Sequence, residues 1–80
     1  MEVKILAFGV ARDILGQSEI ALPADPEMRV DRLLELLRTR YPKLRELRSL
    51  AVAVNAEYAE ENSLIRAGDE VALIPPVAGG

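Results

Sequence analysis

The last six residues of the chain are the part of this sequence best suited to chemistry at a terminal carboxylate. Two prolines begin this segment and two glycines end it, in the order Pro75, Pro76, Val77, Ala78, Gly79 and Gly80. Prolines limit the conformations lost on insertion into a partner, and glycines let the backbone enter a channel too narrow for side chains. Six extended residues reach at most about 20 Å. The segment therefore suits delivery of the Gly80 carboxylate into the active site of another protein.

The rest of the chain lacks the residues usually needed for independent catalysis. It contains no cysteine and no histidine, which excludes thiol nucleophiles, disulfides, thiolate zinc sites and imidazole bases. We therefore expect no bound metal and no bound cofactor, and we predict that the chain is not an enzyme on its own. A Gly-Gly end can also be an ordinary frayed terminus. We favour the chemical interpretation because no other part of the sequence offers a reactive group.

Size and charge limit the classes of protein to which the chain could belong. Its 80 residues, half of them hydrophobic and 29% charged, suffice for one globular domain. We expect residues 1–75 to form this domain and residues 76–80 to form a flexible tail. The net charge of -3, with no evident basic stripe, argues against a nucleic-acid partner. Since no leader, long apolar stretch or lipidation signal is visible, we expect a cytoplasmic protein with no membrane partner.

Hydrophobic periodicity predicts an α+β roll in which one main helix lies across a mixed sheet. Apolar residues at helical spacing predict the main helix over residues 30–40, ended by Pro42. A shorter helical segment over residues 10–15 precedes Gly16, which suits a left-handed C-terminal position. Alternating apolar residues predict a short strand around Tyr58 and four longer ones, over residues 3–8, 19–22, 50–54 and 70–75.

The connections between these elements are also predictable in part. Asn55 and Ala56 indicate a tight turn leading to Tyr58, although glycine would suit this turn better than Ala56 does. Residues 23–27 are expected to form a loop. We expect Leu64 and Ile65 to lie in a short irregular loop that packs on the core.

The alternation also predicts an apolar sheet face on the side away from the main helix. This face, called the open face below, would present Leu6, Phe8, Ala51, Ala53, Ala72 and Ile74. An uncovered apolar patch usually marks a partner surface. We predict Phe8, Tyr58 and Ile74 as its anchors, because large apolar side chains carry most interface energy. Two alternatives stay open: a loop through Tyr58 covers the face, or the two faces are reversed.

Two charged segments are weaker candidates for partner contacts. Arg12 and Asp13 could contact an activating enzyme, although a charged pair on a short helix is more often simply solvated. The acidic residues between positions 57 and 61 could steer a basic partner, but a solvated loop is the simpler explanation.

Several local motifs occur together along the whole chain. They are the segments Phe8 through Arg12, Asp13-Ile14-Leu15-Gly16, Tyr41-Pro42, Gly68-Asp69-Glu70-Val71-Ala72 and Ile74 through Gly80. In combination they resemble the small, sulfur carrier subunit of molybdopterin synthase. Two positions depart from the family pattern: Ala56 stands where glycine is frequent, and Arg29 stands at the helix start where threonine, a better N-cap, is frequent.

The resemblance implies a ubiquitin-like β-grasp fold and a cycle in which Gly80 carries sulfur. An adenylating enzyme of the ubiquitin-activating type would use ATP to activate the Gly80 carboxylate, and a sulfur donor protein would convert it to a thiocarboxylate. The large catalytic subunit of molybdopterin synthase would then receive residues 75–80. Two sulfur atoms delivered in this way would build the dithiolene of molybdopterin from cyclic pyranopterin monophosphate. The chain itself would be the sulfur-donating, non-catalytic subunit of a sulfurtransferase.

Other functions stay open on the sequence alone. The thiamine-pathway sulfur carriers also resemble ubiquitin and end in Gly-Gly, but they usually lack the paired prolines Pro75 and Pro76 and are shorter near residues 10–16. A carrier for tRNA thiolation, a protein modifier, and an interaction domain with an inert tail are further possibilities.

Overall fold

The structure is a computed structural model that describes residues 2–47 and 49–75. Its α-helices are α1, Gly9–Leu15, and α2, Val30–Arg40, and a 3-10 helix spans Pro42–Glu46. Its strands are β1 Glu2–Ala7, β2 Glu19–Pro23, β3 Met28–Arg29, β4 Ala51–Val54, β5 Glu57–Tyr58, β6 Leu64–Ile65 and β7 Glu70–Ile74. Five strands form one mixed sheet in the order β2-β1-β7-β4-β5, and β3 pairs with β6. The predicted α+β roll is confirmed.

The centre of the sheet is the parallel pair of β1 and β7. Val3, Ile5 and Ala7 are buried on the same side of β1, and Val71 and Leu73 are buried on the matching side of β7. Because side chains alternate along a strand, Leu6 and its neighbours of the same parity lie on the opposite side. The predicted assignment of the two faces is therefore confirmed, and the alternative of reversed faces is wrong.

Helix α2 covers the inner side of the sheet. Its buried residues Val30, Leu33, Leu34 and Leu37 belong to the same core cluster as the inward residues of β1 and β7. The helix has the predicted bounds, and its last backbone bond runs from Tyr41 N–H to Leu37 O at 2.7 Å. Pro42 follows at once and lacks an amide hydrogen, so the α-helical bond pattern cannot continue.

The N-terminus of α2 is capped by a distant loop. The backbone N–H groups of Val30 and Asp31 donate to the carbonyl oxygens of Ser63 and Glu61, both at 2.9 Å. The side chain of Arg29 makes no capping bond and instead pairs with Asp31 at 2.7 Å. Loop carbonyls thus satisfy donors that a threonine at position 29 would otherwise serve.

Three local features differ from the sequence prediction. Leu64 and Ile65 form strand β6, which pairs with β3, rather than an irregular loop. A 3-10 helix follows α2, with Leu44 buried at its centre. Several ends are displaced by one residue: β1 spans Glu2–Ala7 rather than residues 3–8, α1 begins at Gly9, β2 includes Pro23, β4 begins at Ala51 and β7 stops at Ile74. Two-residue strands carry too little alternation to be detected locally, since their pairing is decided by distant residues.

The turn between β4 and β5 is tied to the start of β7. Asn55 has φ of +52° and Ala56 has φ of +70°, the pair of left-handed conformations that a two-residue hairpin turn requires. The Asn55 side chain accepts from Glu70 N–H at 3.0 Å and donates to Asp69 Oδ1 at 2.9 Å. Asparagine tolerates this backbone conformation, whereas alanine has no such compensation.

Replacing Ala56 by glycine is expected to stabilise the domain by about 1 kcal/mol. Alanine at positive φ suffers a steric clash between Cβ and the backbone, which glycine avoids, although glycine also loses more entropy on folding. Urea unfolding followed by circular dichroism measures the change. Ala67→Gly is the matched control, because Ala67 is an exposed turn residue without positive φ. That control should lose about 0.5 to 1 kcal/mol, and equal effects at both positions would contradict the argument.

Candidate functional site

The open face is organised as rows of side chains that cross the sheet. Strand pairing places Leu6 beside Ala72, Ala72 beside Ala53, and Ala53 beside Tyr58. A second row lies two residues further along β7, at its C-terminal end, where Ile74 pairs with Ala51. Phe8 belongs to this second row, because the pairing of Ala7 with Leu73 brings the next residues of the two parallel strands together. The open face therefore presents two adjacent rows that are apolar across β1, β7, β4 and β5, with Glu19 of β2 beside Leu6 at one end.

The three predicted anchors occupy these rows at different positions. Phe8 is 52% exposed and Tyr58 is 76% exposed, whereas Ile74 is half-buried. Phe8 and Ile74 are neighbours in the row at the end of β7, and Tyr58 ends the other row on the edge strand β5. The exposure of Phe8 and Tyr58 contradicts the alternative in which a loop through Tyr58 covers the face.

One predicted member of the open face differs in exposure. The pairing of Ala53 places it on the open face, yet Ala53 is only 6% exposed. It is not a member of the core cluster that packs around α2. Its methyl group is short and is flanked in its row by Ala72 and Tyr58, so little of it reaches solvent. The prediction of an exposed Ala53 is therefore wrong, although the prediction of its face is confirmed.

The end of β7 lies against the start of α1. Pro75 follows β7 directly, and a Cβ atom at Gly9 would lie 3.3 Å from Pro75 Cγ. Gly9 has φ of +52°, so the chain turns sharply away from β1 at the position that adjoins Pro75. The other predicted residues of this segment, Pro76, Val77, Ala78, Gly79 and Gly80, lie outside the described residues.

Two further apolar residues are exposed: Val10 was not singled out from the sequence, and Leu64 was expected to pack on the core, an expectation that is wrong for Leu64 and confirmed for Ile65. Val10, in the first turn of α1, is 42% exposed, and Leu64, on β6, is 47% exposed. Val10 follows the Phe8-Gly9 corner and so lies near the apolar rows along the chain. The local pattern placed Val10 on a helix but carried no signal for its exposure, because exposure depends on which elements pack around it.

The charged candidates are solvent-exposed. Arg12 and Asp13 are exposed on α1, and Glu57, Glu60 and Glu61 are exposed at and after β5. The ion pairs found among residues 2–47 and 49–75 join Lys4 to Glu19, Arg29 to Asp31, and Arg45 to Glu35. None of the five exposed candidates takes part in these pairs.

Two carboxylates have lowered pKa values, and both have structural partners. Arg45 donates a hydrogen bond to Glu35 at 2.8 Å, and this bond with the nearby positive charges lowers the pKa of Glu35. The backbone N–H of Arg66 and the side chain of Asn55 donate to Asp69, which lowers the pKa of Asp69. Both shifts result from turn and surface contacts away from the end of β7, so they do not indicate acid-base chemistry at the candidate site.

The described ranges, residues 2–47 and 49–75, also bear on metal binding and membrane insertion. Within them, no three acidic side chains are arranged so that they could hold a metal ion. Neither α-helix combines the length and apolar character needed to cross a bilayer.

Comparison with characterised proteins connects this geometry to one family. Residues 5–80 match the ThiS family. The molybdopterin synthase sulfur carrier subunit of Arabidopsis thaliana is 35% identical, with 100% of this chain and 84% of that protein aligned. The protein of the same name from Homo sapiens is 31% identical over 99% of this chain and 94% of its own length. These alignments include the end of β7 and the segment that follows it.

Solved structures share the fold over nearly the whole chain. A putative molybdopterin converting factor subunit 1 from Pyrococcus furiosus matches with a TM-score of 0.88 and 27% identity, covering 96% of this chain and 99% of that one. SAMP1 from Haloferax volcanii matches with a TM-score of 0.85 and 27% identity, with both chains fully covered. A complex of subunits 1 and 2 of molybdopterin-converting factor from Helicobacter pylori contains a chain with a TM-score of 0.70 and 26% identity, again with full coverage of both. The ubiquitin-like β-grasp prediction is thereby confirmed, and the chain belongs to the ThiS family, in which these full-length relatives are sulfur carrier subunits of molybdopterin synthase.

Proposed function

We propose that this chain is the sulfur carrier subunit of a molybdopterin synthase and that Gly80 is its working residue. One observation carries the proposal. Two apolar rows on an uncovered sheet face lie beside the end of β7, in a chain that aligns over its full length with sulfur carrier subunits. A partner could bind this face and receive the segment after Pro75 at the same time.

The proposed chemistry uses the carboxylate of Gly80 and needs no catalytic side chain from this chain. A carboxylate is a poor electrophile, so its oxygen first attacks ATP, which yields an acyl-adenylate and pyrophosphate. Hydrosulfide supplied by a sulfur donor then attacks the acyl carbon, a C–S bond replaces the C–O bond to AMP, and AMP leaves, which produces a thiocarboxylate. The thiocarboxylate sulfur is a nucleophile at neutral pH and requires no cysteine.

Partner proteins supply the groups that this chain lacks. A ubiquitin-activating-type enzyme binds ATP and adenylates Gly80, and a sulfur donor protein provides sulfur. The large catalytic subunit binds cyclic pyranopterin monophosphate and accepts the tail. The complex of subunits 1 and 2 from Helicobacter pylori supports a large-subunit partner, because its small subunit resembles this chain over its full length. We place this cycle in the cytoplasm, with no cofactor held by the carrier itself.

Intact-mass spectrometry of the protein purified from its native host tests the chemistry. A fraction of the molecules should be heavier by about 16 Da, the difference between sulfur and oxygen, because the thiocarboxylate is the form that waits for delivery. Treatment with an alkylating reagent should shift only this heavier fraction. A population that contains no thiocarboxylate, even when the activating enzyme, ATP and a sulfur source are supplied, would contradict the proposal.

Phe8→Asp is expected to weaken binding to the large subunit by at least about 100-fold while leaving the domain folded. The change places a charge in an apolar row that the partner would have to desolvate, but Phe8 lies outside the core cluster. Leu64→Asp is the matched control, since Leu64 has a similar exposure of 47% and lies on β6, outside the five-stranded sheet. Isothermal titration measures both affinities. Equal losses for the two variants, or unfolding of the Phe8 variant alone, would contradict this docking surface.

A protein-modifier function is a second candidate, favoured by the similarity to SAMP1 from Haloferax volcanii. The two functions use the same activated Gly80 but give different products. A modifier forms amide bonds with lysine side chains of other proteins. A carrier remains a separate chain whose last residue ends in a carboxylate or a thiocarboxylate. Affinity purification followed by trypsin digestion and mass spectrometry distinguishes them, because a modifier would leave residues 67–80 attached to target lysines, Arg66 being the last basic residue of the chain.

A further inference from the structure

Positive charge is concentrated in the segment that contains α2 and the 3-10 helix, called the helical layer below, and most acidic residues lie elsewhere in the chain. Residues 29–48, which contain α2 and the 3-10 helix, include seven basic and three acidic residues, a net charge of +4. The other residues include three basic and ten acidic ones, a net charge of -7. The expectation of no basic stripe therefore missed a concentration of cations on the helical layer, which the overall charge of -3 conceals.

The helical layer carries its cations on the surface. Arg32 and Arg45 are exposed, and Arg38 is half-buried. Arg45 is hydrogen-bonded to Glu35 and contributes most to the lowered pKa of this carboxylate, and the positive charges of Arg38 and Arg32 add to the effect. Since Arg45 is the only cation among residues 2–47 and 49–75 within ion-pair distance of Glu35, a net positive charge is left on this side of the molecule.

The open face has a different character, because its polarity changes along its length. Its two apolar rows lie toward the end of β7, and the next row in the other direction contains Lys4 and Glu70. Lys4 pairs with Glu19 at 3.7 Å, and no cation among residues 2–47 and 49–75 lies within ion-pair distance of Glu70. Rows are two residues apart along a strand, or roughly 7 Å, so Glu70 lies roughly 13 Å from Ile74. Glu2 lies one row further, beside Pro23, and likewise has no cation of the described residues within ion-pair distance. The end of the open face furthest from Pro75 therefore carries two carboxylates without ion-pair partners among these residues.

We propose that the open face docks on a cationic protein surface of the large subunit, and that the contrast between the carboxylates at the distal end of this face and the cations of the helical layer sets the direction of docking. The apolar rows contact the partner near the entrance for the tail, Glu70 faces basic residues at the distal rim, and the helical layer points away. This inference rests on the proposed function for the identity of the partner. Charge complementarity of this kind acts mainly on the rate of association, because it orients the encounter before contact.

Stopped-flow association with the large subunit of the same organism tests the proposal. Glu70→Lys should slow association about three- to tenfold at an ionic strength of about 20 mM, and the difference should disappear near 0.5 M salt. Dissociation should change by less than about twofold, because an exposed rim charge contributes little once the complex has formed. The matched control is Glu46→Lys, which makes the same change in net charge on the exposed side of the 3-10 helix. It should leave the association rate within about twofold of normal.

Two results would overturn the proposal. Equal slowing by Glu70→Lys and Glu46→Lys would mean that only net charge matters, and slowing by Arg32→Glu alone would mean that the helical layer docks on an acidic surface. Urea unfolding of each variant shows that the fold is retained, since neither Glu70 nor Glu46 has a buried side chain. If the unaltered chain forms no complex at any ionic strength, the proposed function fails. If it forms one and the variants do not differ, this inference alone fails.

Discussion

Deletion of Gly80 is expected to abolish molybdopterin formation while leaving affinity for the large subunit within about threefold of normal. The deletion moves the terminal carboxylate inward by one residue, about 3.3 to 3.6 Å, whereas reactive geometry tolerates errors of only about 1 Å. Adenylation and sulfur delivery should therefore both be lost. The apolar rows that we assign to docking are unchanged, so complex formation should persist.

The measurement combines the truncated chain with the activating enzyme, ATP, a sulfur source and the pyranopterin precursor. Pyrophosphate release reports adenylation, intact mass reports the thiocarboxylate, and titration reports binding to the large subunit. Gly79→Val is a second variant that separates chain length from access to the channel. It keeps the length of the chain but adds a β-branched side chain and disfavours positive φ. That variant should also bind but react slowly, since a narrow channel would exclude its side chain. Normal product formation by the truncated chain would remove the basis of the proposed function, because the sequence offers no other group to carry sulfur.

Replacing Leu37 by alanine is expected to reduce the free energy of unfolding by about 3 to 5 kcal/mol. Leu37 is fully buried in the middle of α2, within the core cluster that joins the helix to the sheet. Truncation removes buried methyl groups and leaves a cavity that surrounding side chains can only partly fill. A domain of 80 residues has little stability to spare, so a large fraction of this variant should be unfolded at 37 °C.

Two variants of the same helix serve as controls. Leu34→Ala should lose less, about 2 to 3 kcal/mol, because Leu34 is 6% exposed and borders a surface groove between α2 and β4. Thr39→Ala should change stability by less than about 0.5 kcal/mol, since Thr39 is exposed. Urea unfolding followed by circular dichroism gives all three values. A loss below about 0.5 kcal/mol for Leu37→Ala would be incompatible with the packing of α2 on the sheet.

Carrier function constrains the surface of this domain differently from its interior. The interior needs only enough buried aliphatic side chains to hold α2 on the sheet. If the open face is the docking surface that we propose, it must stay apolar and uncovered in the free protein. This requirement explains why Phe8 and Tyr58 are exposed in a domain whose other aliphatic and aromatic residues are mostly packed.

Local sequence patterns determined the main elements of the fold. The helical spacing of apolar residues placed α2 at its observed bounds, because Val30 and Leu37 repeat with the helical period and Pro42 ends the pattern. Gly16 ended α1 with φ of +79°, as its lack of a side chain suggested. The alternation in β1 and β7 identified the buried and open faces. These features depend on residues close together in the chain, so the sequence carries them directly.

Only the tertiary structure decided how distant segments meet. The pairing of β3 with β6, and the capping of α2 by Ser63 and Glu61, join residues more than 25 positions apart, and short segments carry no local signal for such contacts. The register between strands likewise arranged Phe8, Ile74 and Ala51 in one row and left Ala53 with little exposure. Burial and charge at the surface follow from the positions of neighbouring elements. The sequence by itself therefore predicted Gly80 as the reactive end and located the apolar face, whereas folding set the rows and the position of Glu70, on which the proposed direction of docking rests.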